Sequence, residues 1–163
     1  MTKIAGAISQ AVEEAEGGIQ SMLDDAAMAV MVLNGGSAVP LWNTWLDGLQ
    51  EEAPEGNEID TAGIQAIFAK ALKALSDMSG AKVGDKTMMD ALIPASQAIA
   101  AYSGSDEAGL FDAAAQAALQ GAEASKQFVS KFGRAKSYGE QTIGTPDAGA
   151  ASMAYFFQGL ARP

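Results

Sequence analysis

The residues of this chain that could take part in chemistry are carboxylates, hydroxyls, lysines, arginines and backbone amides, because its 163 residues include no cysteine and no histidine. This composition excludes disulfides, zinc fingers, iron–sulfur sites, thiol nucleophiles and serine–histidine–aspartate triads. The groups that remain are concentrated in three glycine-bounded segments, and each of these segments could bind an anion.

The first segment, residues 34–40 (NGGSAVP), places two glycines directly before a predicted helix. Glycine lets the backbone approach a ligand closely, and the free amides at a helix amino terminus favour an anion such as phosphate. The same residues also fit a glycine cap followed by a turn and a helix that starts at Pro40. The segment alone leaves both interpretations open.

The second segment, residues 80–88 (GAKVGDKTM), contains Asp85, Lys86 and Thr87. Asp85 could cap the helix that it opens, and Lys86 or Thr87 could contact a phosphate. The segment lacks the glycine and lysine spacing of a Walker A loop. A plain loop with a helix cap is therefore the alternative interpretation.

The third segment, residues 133–140 (GRAKSYGE), is followed closely by residues 143–150 (IGTPDAGA). Arg134 and Lys136 are two basic residues in a loop of an acidic chain, and a guanidinium can bind phosphate through two parallel hydrogen bonds. The alternative is ordinary surface charge, with Asp147 as the amino-terminal cap of the last helix.

The elements that must position these segments are helices, because apolar residues recur at helical spacing and no alternation of period two is sustained. We predict helices over residues 3–16, 19–33, 40–49, 61–79 (capped by Asp60 or Thr61), 85–102, 105 or 106 to 132, and one from near Asp147. Pro94 should kink the fifth of these. Gly133 is predicted to end the sixth, and residues 139–145 are predicted to be non-helical. The expected fold is an all-α, up-and-down antiparallel bundle or barrel of about six to seven helices.

Small residues form one face of the sixth predicted helix, which would let a neighbouring helix approach closely. They are Ala114, Ala118, Gly121, Ala122 and Ser125.

The net charge of −10, from 20 acidic and 10 basic residues, argues against nucleic acid and membrane surfaces as partners. No stretch is long and apolar enough for a transmembrane helix, and the charged residues among the first 20 do not fit a signal peptide. We therefore expect one globular domain in the cytoplasm.

Taken together, the segments GGSAVPL, GDKTMMDALIP, GRAKSYGE and IGTPDAGA, in this order and spacing, are distinctive. The chain from Ile19 onward resembles the nucleotide-binding L subunit of dihydroxyacetone kinases, the DhaL or DAK2 domain. This resemblance implies a single domain over residues 1–163, a helical barrel of about eight helices in complete members, and ADP or ATP held by loops at one rim.

The resemblance also implies which residues contact the nucleotide. Ser37 and Ala38 match the glycine-loop contacts, Gly80 matches a contact of the next loop, and Met88 would line the adenine pocket. Arg134 would contact the phosphate end of the nucleotide. The rim would be completed by Asp147, Ala148 and Gly149.

The chain departs from the family pattern at several points. Val39 stands where the family usually has glycine, and Ala148 stands where it usually has proline. The family loop G-D-x-D-H-G, whose aspartates bind magnesium, has no counterpart here. Asp24 and Asp25 are adjacent in a predicted helix, so they should point about 100° apart onto solvent rather than converge on one ion. We therefore expect no metal ligands, no catalytic residues and no catalysis by the chain alone.

The opening residues resemble the family helix that follows the magnesium loop, so we expect an L subunit without its first helix, through a misplaced start, a truncated gene or a shortened chain. The resemblance implies a dihydroxyacetone-binding K subunit as partner and leaves open a phosphotransferase-system phosphoryl carrier. The loss of that helix would uncover apolar faces that it normally covers, so we expect self-association or dependence on a partner through the face of the first and last helices. The alternatives to a kinase subunit are a non-catalytic homologue that serves as a protein-binding module, and a helical bundle without a ligand.

Overall fold

A computed structural model describes residues 1–162 of the chain. This part contains seven α-helices, two 3-10 segments and no β-strand. The predicted all-α fold of six to seven helices is therefore confirmed. No helix among these residues combines the length and the apolarity needed to cross a bilayer. The chain forms two compact units, one over residues 1–79 and one from Gly80 onward.

The first unit contains α1 (Thr2–Glu14), α2 (Ile19–Met31), α3 (Ala38–Gln50) and α4 (Thr61–Ser79). Each helix packs on the next one along the chain, as in an up-and-down bundle. Trp45 is fully buried in α3, and its ring lies edge-on to Phe68 of α4 with centroids 6.0 Å apart. Gly48 allows this close packing, because a Cβ atom there would lie 2.7 Å from the Cα atom of Ala71.

The second unit contains α5 (Met89–Ala101), α6 (Glu107–Ala124) and α7 (Ala148–Leu160), which all pack on one another. Two 3-10 segments, Ser125–Gln127 and Arg134–Thr142, lie between α6 and α7. The alanines of the predicted small-residue face, Ala114, Ala118 and Ala122, are buried on α6, whereas Gly121 is partly buried and Ser125 lies buried just after the helix. At Gly121 the backbone of α5 comes so close that a Cβ atom would overlap the carbonyl oxygen of Asp90.

Aspartate side chains begin three of the helices, since each accepts a hydrogen bond from an amide of the first turn. Asp60 accepts from the amide of Gly63 at 2.8 Å, Asp106 from Gly109 at 2.7 Å, and Asp147 from Ala150 at 2.8 Å. The predicted caps at Asp60 and Asp147 are confirmed. Pro40 lies in the first turn of α3, where its missing N–H costs no hydrogen bond.

Two predicted helix boundaries are wrong. The fifth helix begins at Met89 rather than at Asp85, because Gly84 and Lys86 have positive φ angles and residues 83–88 form turns and bends. The sixth helix ends at Ala124 rather than at Phe132: the chain tightens into a 3-10 turn and is extended at Phe128. Gly133 therefore does not end this helix.

Smaller differences concern the first three helices and the region before α7. α1 and α2 each end two residues earlier than predicted, and α3 begins two residues earlier. Part of the stretch predicted to be non-helical lies in the 3-10 segment Arg134–Thr142. Its helical geometry is interrupted at Gly139 (φ 52°, ψ −129°).

Candidate functional site

The glycine-rich loop of the first unit connects α2 to α3, and its residues 34–37 are exposed. In the described part of the chain, the amides of Ser37 and Ala38 donate no hydrogen bond. These two amides lie at the amino terminus of α3, where the helix dipole favours negative charge. Val39 lies against Gly35, since a Cβ atom on Gly35 would be 2.5 Å from the Val39 Cγ2 atom.

The loop over residues 80–88 opens the second unit and is held from the inside by a buried carboxylate. Asp90 is fully buried, and its two oxygens accept hydrogen bonds from the amides of Gly84 and Thr87, both at 2.6 Å. Gly80 and Gly84 have φ angles of 63° and 95°, which residues with a side chain rarely adopt. Met88, the last residue of the loop, is buried.

Asp85 is not the helix cap that its position suggested. One of its carboxylate oxygens accepts from the amide of Lys82 at 2.8 Å, and the other lies 2.6 Å from the Lys131 Nζ atom. The hydrogen bond from Lys131 is the main reason that the pKa of Asp85 lies below its ordinary value. Asp85 therefore connects the loop 80–88 to the segment that follows α6.

Lys86 does not have the exposed position that a surface phosphate contact requires. Its side chain is buried, and its ammonium group donates to the carbonyl oxygens of Ser125 and Thr145, both at 2.6 Å. The expectation that Lys86 contacts a phosphate is therefore not supported by its position. Thr87 is partly buried, and its hydroxyl accepts from the amide of Met89 at 3.2 Å.

Arg134 is exposed at the start of the second 3-10 segment, directly after Gly133 (φ 61°). Within residues 1–162, its guanidinium makes no hydrogen bond or ion pair with another side chain. The ends of this segment are anchored: the amide of Ser130 donates to the Thr142 hydroxyl at 3.1 Å, and the amide of Gly144 donates to the Lys126 carbonyl at 2.8 Å. The guanidinium of Arg134 is thus carried by a segment whose two ends are held by hydrogen bonds.

The turn at residues 147–149 begins α7 and packs on Met88. The amide of Asp147 donates to the Ser125 hydroxyl at 2.8 Å, and a Cβ atom on Gly149 would be 3.1 Å from the Met88 nitrogen. Burial raises the pKa of the Asp147 carboxyl, against the lowering effect of hydrogen bonds from the amides of Ala150 and Gly149.

Within the second unit, the structure therefore brings together Met88 and the turn at residues 147–149. Among residues 1–162, no hydrogen bond joins Gly80 or the Arg134 side chain to them, and Ser37 and Ala38 belong to the first unit. Sequence reasoning missed the roles of Asp90 and Ser125. An aspartate inside the apolar run MMDALIP was a usable signal, since a lone buried carboxylate requires hydrogen-bond donors.

Carboxylates do not cluster within the part of the chain that the structure describes. Among residues 1–162, no three carboxylate-bearing residues come close enough together to hold a metal ion. Asp24 and Asp25 are both exposed on α2, as the sequence predicted. These residues therefore do not match the aspartate loop that binds magnesium in the resembled family.

The observed features define a class of protein: within residues 1–162 the fold is all-helical, and the interhelix loops carry free amides, glycines with positive φ angles and an arginine without a side-chain partner. A family model for the DAK2 domain matches residues 1–162. The chain belongs to the DAK2 domain family.

Curated relatives include two erythrulose kinases and a subunit of a dihydroxyacetone kinase. The chain is 35% identical over 136 residues to D-erythrulose kinase of Mycolicibacterium smegmatis (82% of this chain, 23% of the relative). It is 34% identical over 148 residues to L-erythrulose kinase of Pectobacterium atrosepticum (86% and 24%). It is 27% identical over 135 residues to the ADP-binding subunit DhaL of PEP-dependent dihydroxyacetone kinase 2 of Listeria innocua (82% and 62%). The chain thus spans about a quarter of the length of the first two relatives.

Proposed function

We propose that the chain is the ADP- or ATP-binding L component of a dihydroxyacetone kinase-like phosphotransferase, and that it presents the nucleotide to a separate K component that binds a small ketose. The match to the DAK2 domain over residues 1–162 carries this proposal. The names of the relatives support a ketose of three or four carbons as the substrate of the assembled enzyme.

The proposed nucleotide contacts are the amides of Ser37 and Ala38, together with Gly80, Met88 and Arg134. The rim is completed by Asp147, Ala148 and Gly149. Two observations favour this set: the amides at the start of α3 have no acceptor among the described residues, and the side chain of Arg134 has no partner there. Met88 and the turn at Gly149 are packed against each other, which suits a wall for a flat base.

Arg134 is the residue on which the phosphate part of the proposal depends. Because a hydrogen bond to a charged group contributes about 1.5–3 kcal/mol, Arg134→Ala should weaken ADP binding by roughly tenfold or more. The effect on AMP should be smaller, because AMP carries less charge. Arg162→Ala is the matched control, since it removes the other arginine of the chain.

Isothermal titration calorimetry of the three proteins with ADP and AMP tests the proposal. If Arg134→Ala and Arg162→Ala lose ADP affinity equally, or if Arg134→Ala leaves ADP affinity unchanged, Arg134 does not bind the phosphate and the anion site lies elsewhere. Absence of ADP binding to the unaltered chain would refute the proposed function itself.

A second candidate function is a non-catalytic module that binds a K-type subunit or a regulator. The lack of a metal-binding group of carboxylates among residues 1–162 favours it. Adding a K subunit with ATP, or with a phosphotransferase-system phosphoryl carrier, and measuring phosphorylation of dihydroxyacetone and erythrulose distinguishes the two functions. Turnover supports the kinase component and identifies the phosphoryl donor, whereas complex formation without turnover supports the module.

Self-association is a further part of this proposal. Ile4 is the only buried residue among those described in α1, although Ile8 and Val12 continue its apolar stripe. On α7, Tyr155 is 72% exposed and Leu160 is 37% exposed. We propose that these faces of α1 and α7 take part in contacts between protein chains.

A further inference from the structure

Lys86 combines three features that are rarely found in one lysine. Its side chain is only 4% exposed, its φ angle is 59°, and its ammonium group donates to two backbone carbonyls. Burial of a charge and a left-handed backbone at a non-glycine residue are both unfavourable. Such a conformation persists only where the surrounding structure enforces it.

The two acceptors of Lys86 come from distant parts of the chain. Ser125 lies directly after α6, and Thr145 lies in the loop before α7, so that the ammonium connects residues 39 and 59 positions away. Lys86 itself lies in the loop before α5. One side chain therefore links the ends of all three helices of the second unit.

Hydrogen bonds continue from Lys86 into the proposed nucleotide site. Ser125 makes two of these hydrogen bonds. Its carbonyl oxygen accepts from Lys86, and its hydroxyl accepts from the amide of Asp147 at 2.8 Å. Asp147 in turn caps α7, and the next turn residue, Gly149, packs on the backbone of Met88. Met88 is only two residues from Lys86. Met88 and the turn at residues 147–149, which form two walls of the proposed site, are thus both connected to the ammonium group of Lys86.

We propose that Lys86 is a positioning residue: it fixes the turn at residues 147–149 against Met88 and thereby sets the shape of the nucleotide site, without touching the nucleotide. This inference rests on the proposed function for its effect on binding. Its structural part, the fixing of the turn, is independent of any ligand.

The test compares Lys86→Met, which keeps the length of the side chain but removes the donors, with Lys86→Arg, which keeps the charge and the donors. Lys73→Met is the matched control, since Lys73 is exposed on α4 and its ammonium group pairs with the exposed Asp77. Hydrogen exchange of the unliganded full chain is measured at the amides of Asp147 and Ala150. The affinities for adenosine, AMP and ADP are then measured by calorimetry well below the unfolding temperature.

In Lys86→Met, we expect exchange at both amides to rise at least about tenfold while exchange within α5 is unchanged. Adenosine, AMP and ADP should all lose affinity by a similar factor of about ten or more, because the shape of the site changes rather than its charge. Lys86→Arg should restore affinity to within about threefold of the unaltered chain. Lys73→Met should change nothing.

Unchanged exchange at the amides of Asp147 and Ala150 in Lys86→Met would overturn the inference. A loss of affinity that increases from adenosine to AMP to ADP would also overturn it, because it would indicate direct contact between Lys86 and phosphate. If Lys86→Met does not fold, Lys86→Gln takes its place: its shorter side chain keeps a polar donor but does not span both carbonyl oxygens, so it must loosen the same two amides. Failure of the unaltered chain to bind any of the three compounds would refute the proposed function, while the exchange comparison would still decide whether Lys86 fixes the turn.

Discussion

Replacing Gly121 by alanine tests how closely α5 and α6 approach each other. In an ordinary helix this change stabilises by about 0.5–1 kcal/mol, because glycine loses more backbone entropy on folding. Here the new Cβ atom would overlap the carbonyl oxygen of Asp90, and would lie 2.9 Å from its carbonyl carbon and 3.1 Å from the Cα atom of Ala91. Carbon atoms prefer separations of about 3.5–4.0 Å, and the overlap with the carbonyl oxygen is more severe than either carbon contact, so the helices must move apart by roughly 1 Å or more.

This separation sets the magnitude of the effect. Overpacking of this kind costs about 1–3 kcal/mol, which outweighs the entropic gain of an alanine. We therefore expect Gly121→Ala to lower the free energy of unfolding by about 1–2 kcal/mol and Tm by roughly 2–8 °C. Gly6→Ala and Gly159→Ala are matched controls, since nothing lies within 4 Å of a Cβ atom at either helical position. Both should raise stability slightly.

Urea unfolding followed by far-ultraviolet circular dichroism is the appropriate assay. Tryptophan fluorescence would report on the wrong unit, because both tryptophans, Trp42 and Trp45, lie in α3. If Gly121→Ala stabilises the chain as the two controls do, the close approach of α5 and α6 is wrong.

Three other perturbations have defined outcomes. The hydrogen bond from Lys131 lowers the pKa of Asp85, so its contribution to stability is present above the unfolded-state pKa and is lost as pH falls through the folded-state pKa. Asp85→Asn should therefore be less stable than the unaltered chain at pH 7, with the difference vanishing as pH falls below about 3.9 in denaturant titrations; a constant difference would contradict this. EDTA should change ADP affinity by less than about threefold in calorimetry, because the described residues offer no cluster of three carboxylates for a metal. A larger loss of affinity would show that a metal ion takes part in ADP binding. Sedimentation at high protein concentration should show association that decreases in Tyr155→Ser, whereas a strictly monomeric chain would exclude the proposed role of α7.

The sequence predicted the helices themselves because their apolar stripes are long and regular. Trp42, Trp45 and Leu49, spaced at three and four residues, are all buried in α3, and the small-residue face of α6 packs as expected. These features depend on local periodicity, which a single sequence displays directly. The caps at Asp60 and Asp147 were predictable because they too are local: each carboxylate accepts from an amide three residues further along the chain.

The errors occur where distant residues decide the local structure. Residues 85–88 have a helical pattern, yet Asp90 binds the amides of Gly84 and Thr87 and Lys86 reaches carbonyls far along the chain. Nothing local in the sequence reveals that the ammonium of Lys86 is directed inward. Sequence reasoning therefore identified the segments that carry the candidate site, but not which of their charged groups face solvent and which hold the loops together.

The carboxylate of Asp90 has a consequence for the thermodynamics of ligand binding. It accepts hydrogen bonds from the amides of Gly84 and Thr87, so these two amides already have an acceptor within the protein and do not need one from a ligand. The conformational entropy of this loop is lost when the chain folds, rather than when a ligand arrives. A ligand that lies against this loop meets a surface already in its final shape, and its association with that surface carries little ordering penalty from the backbone.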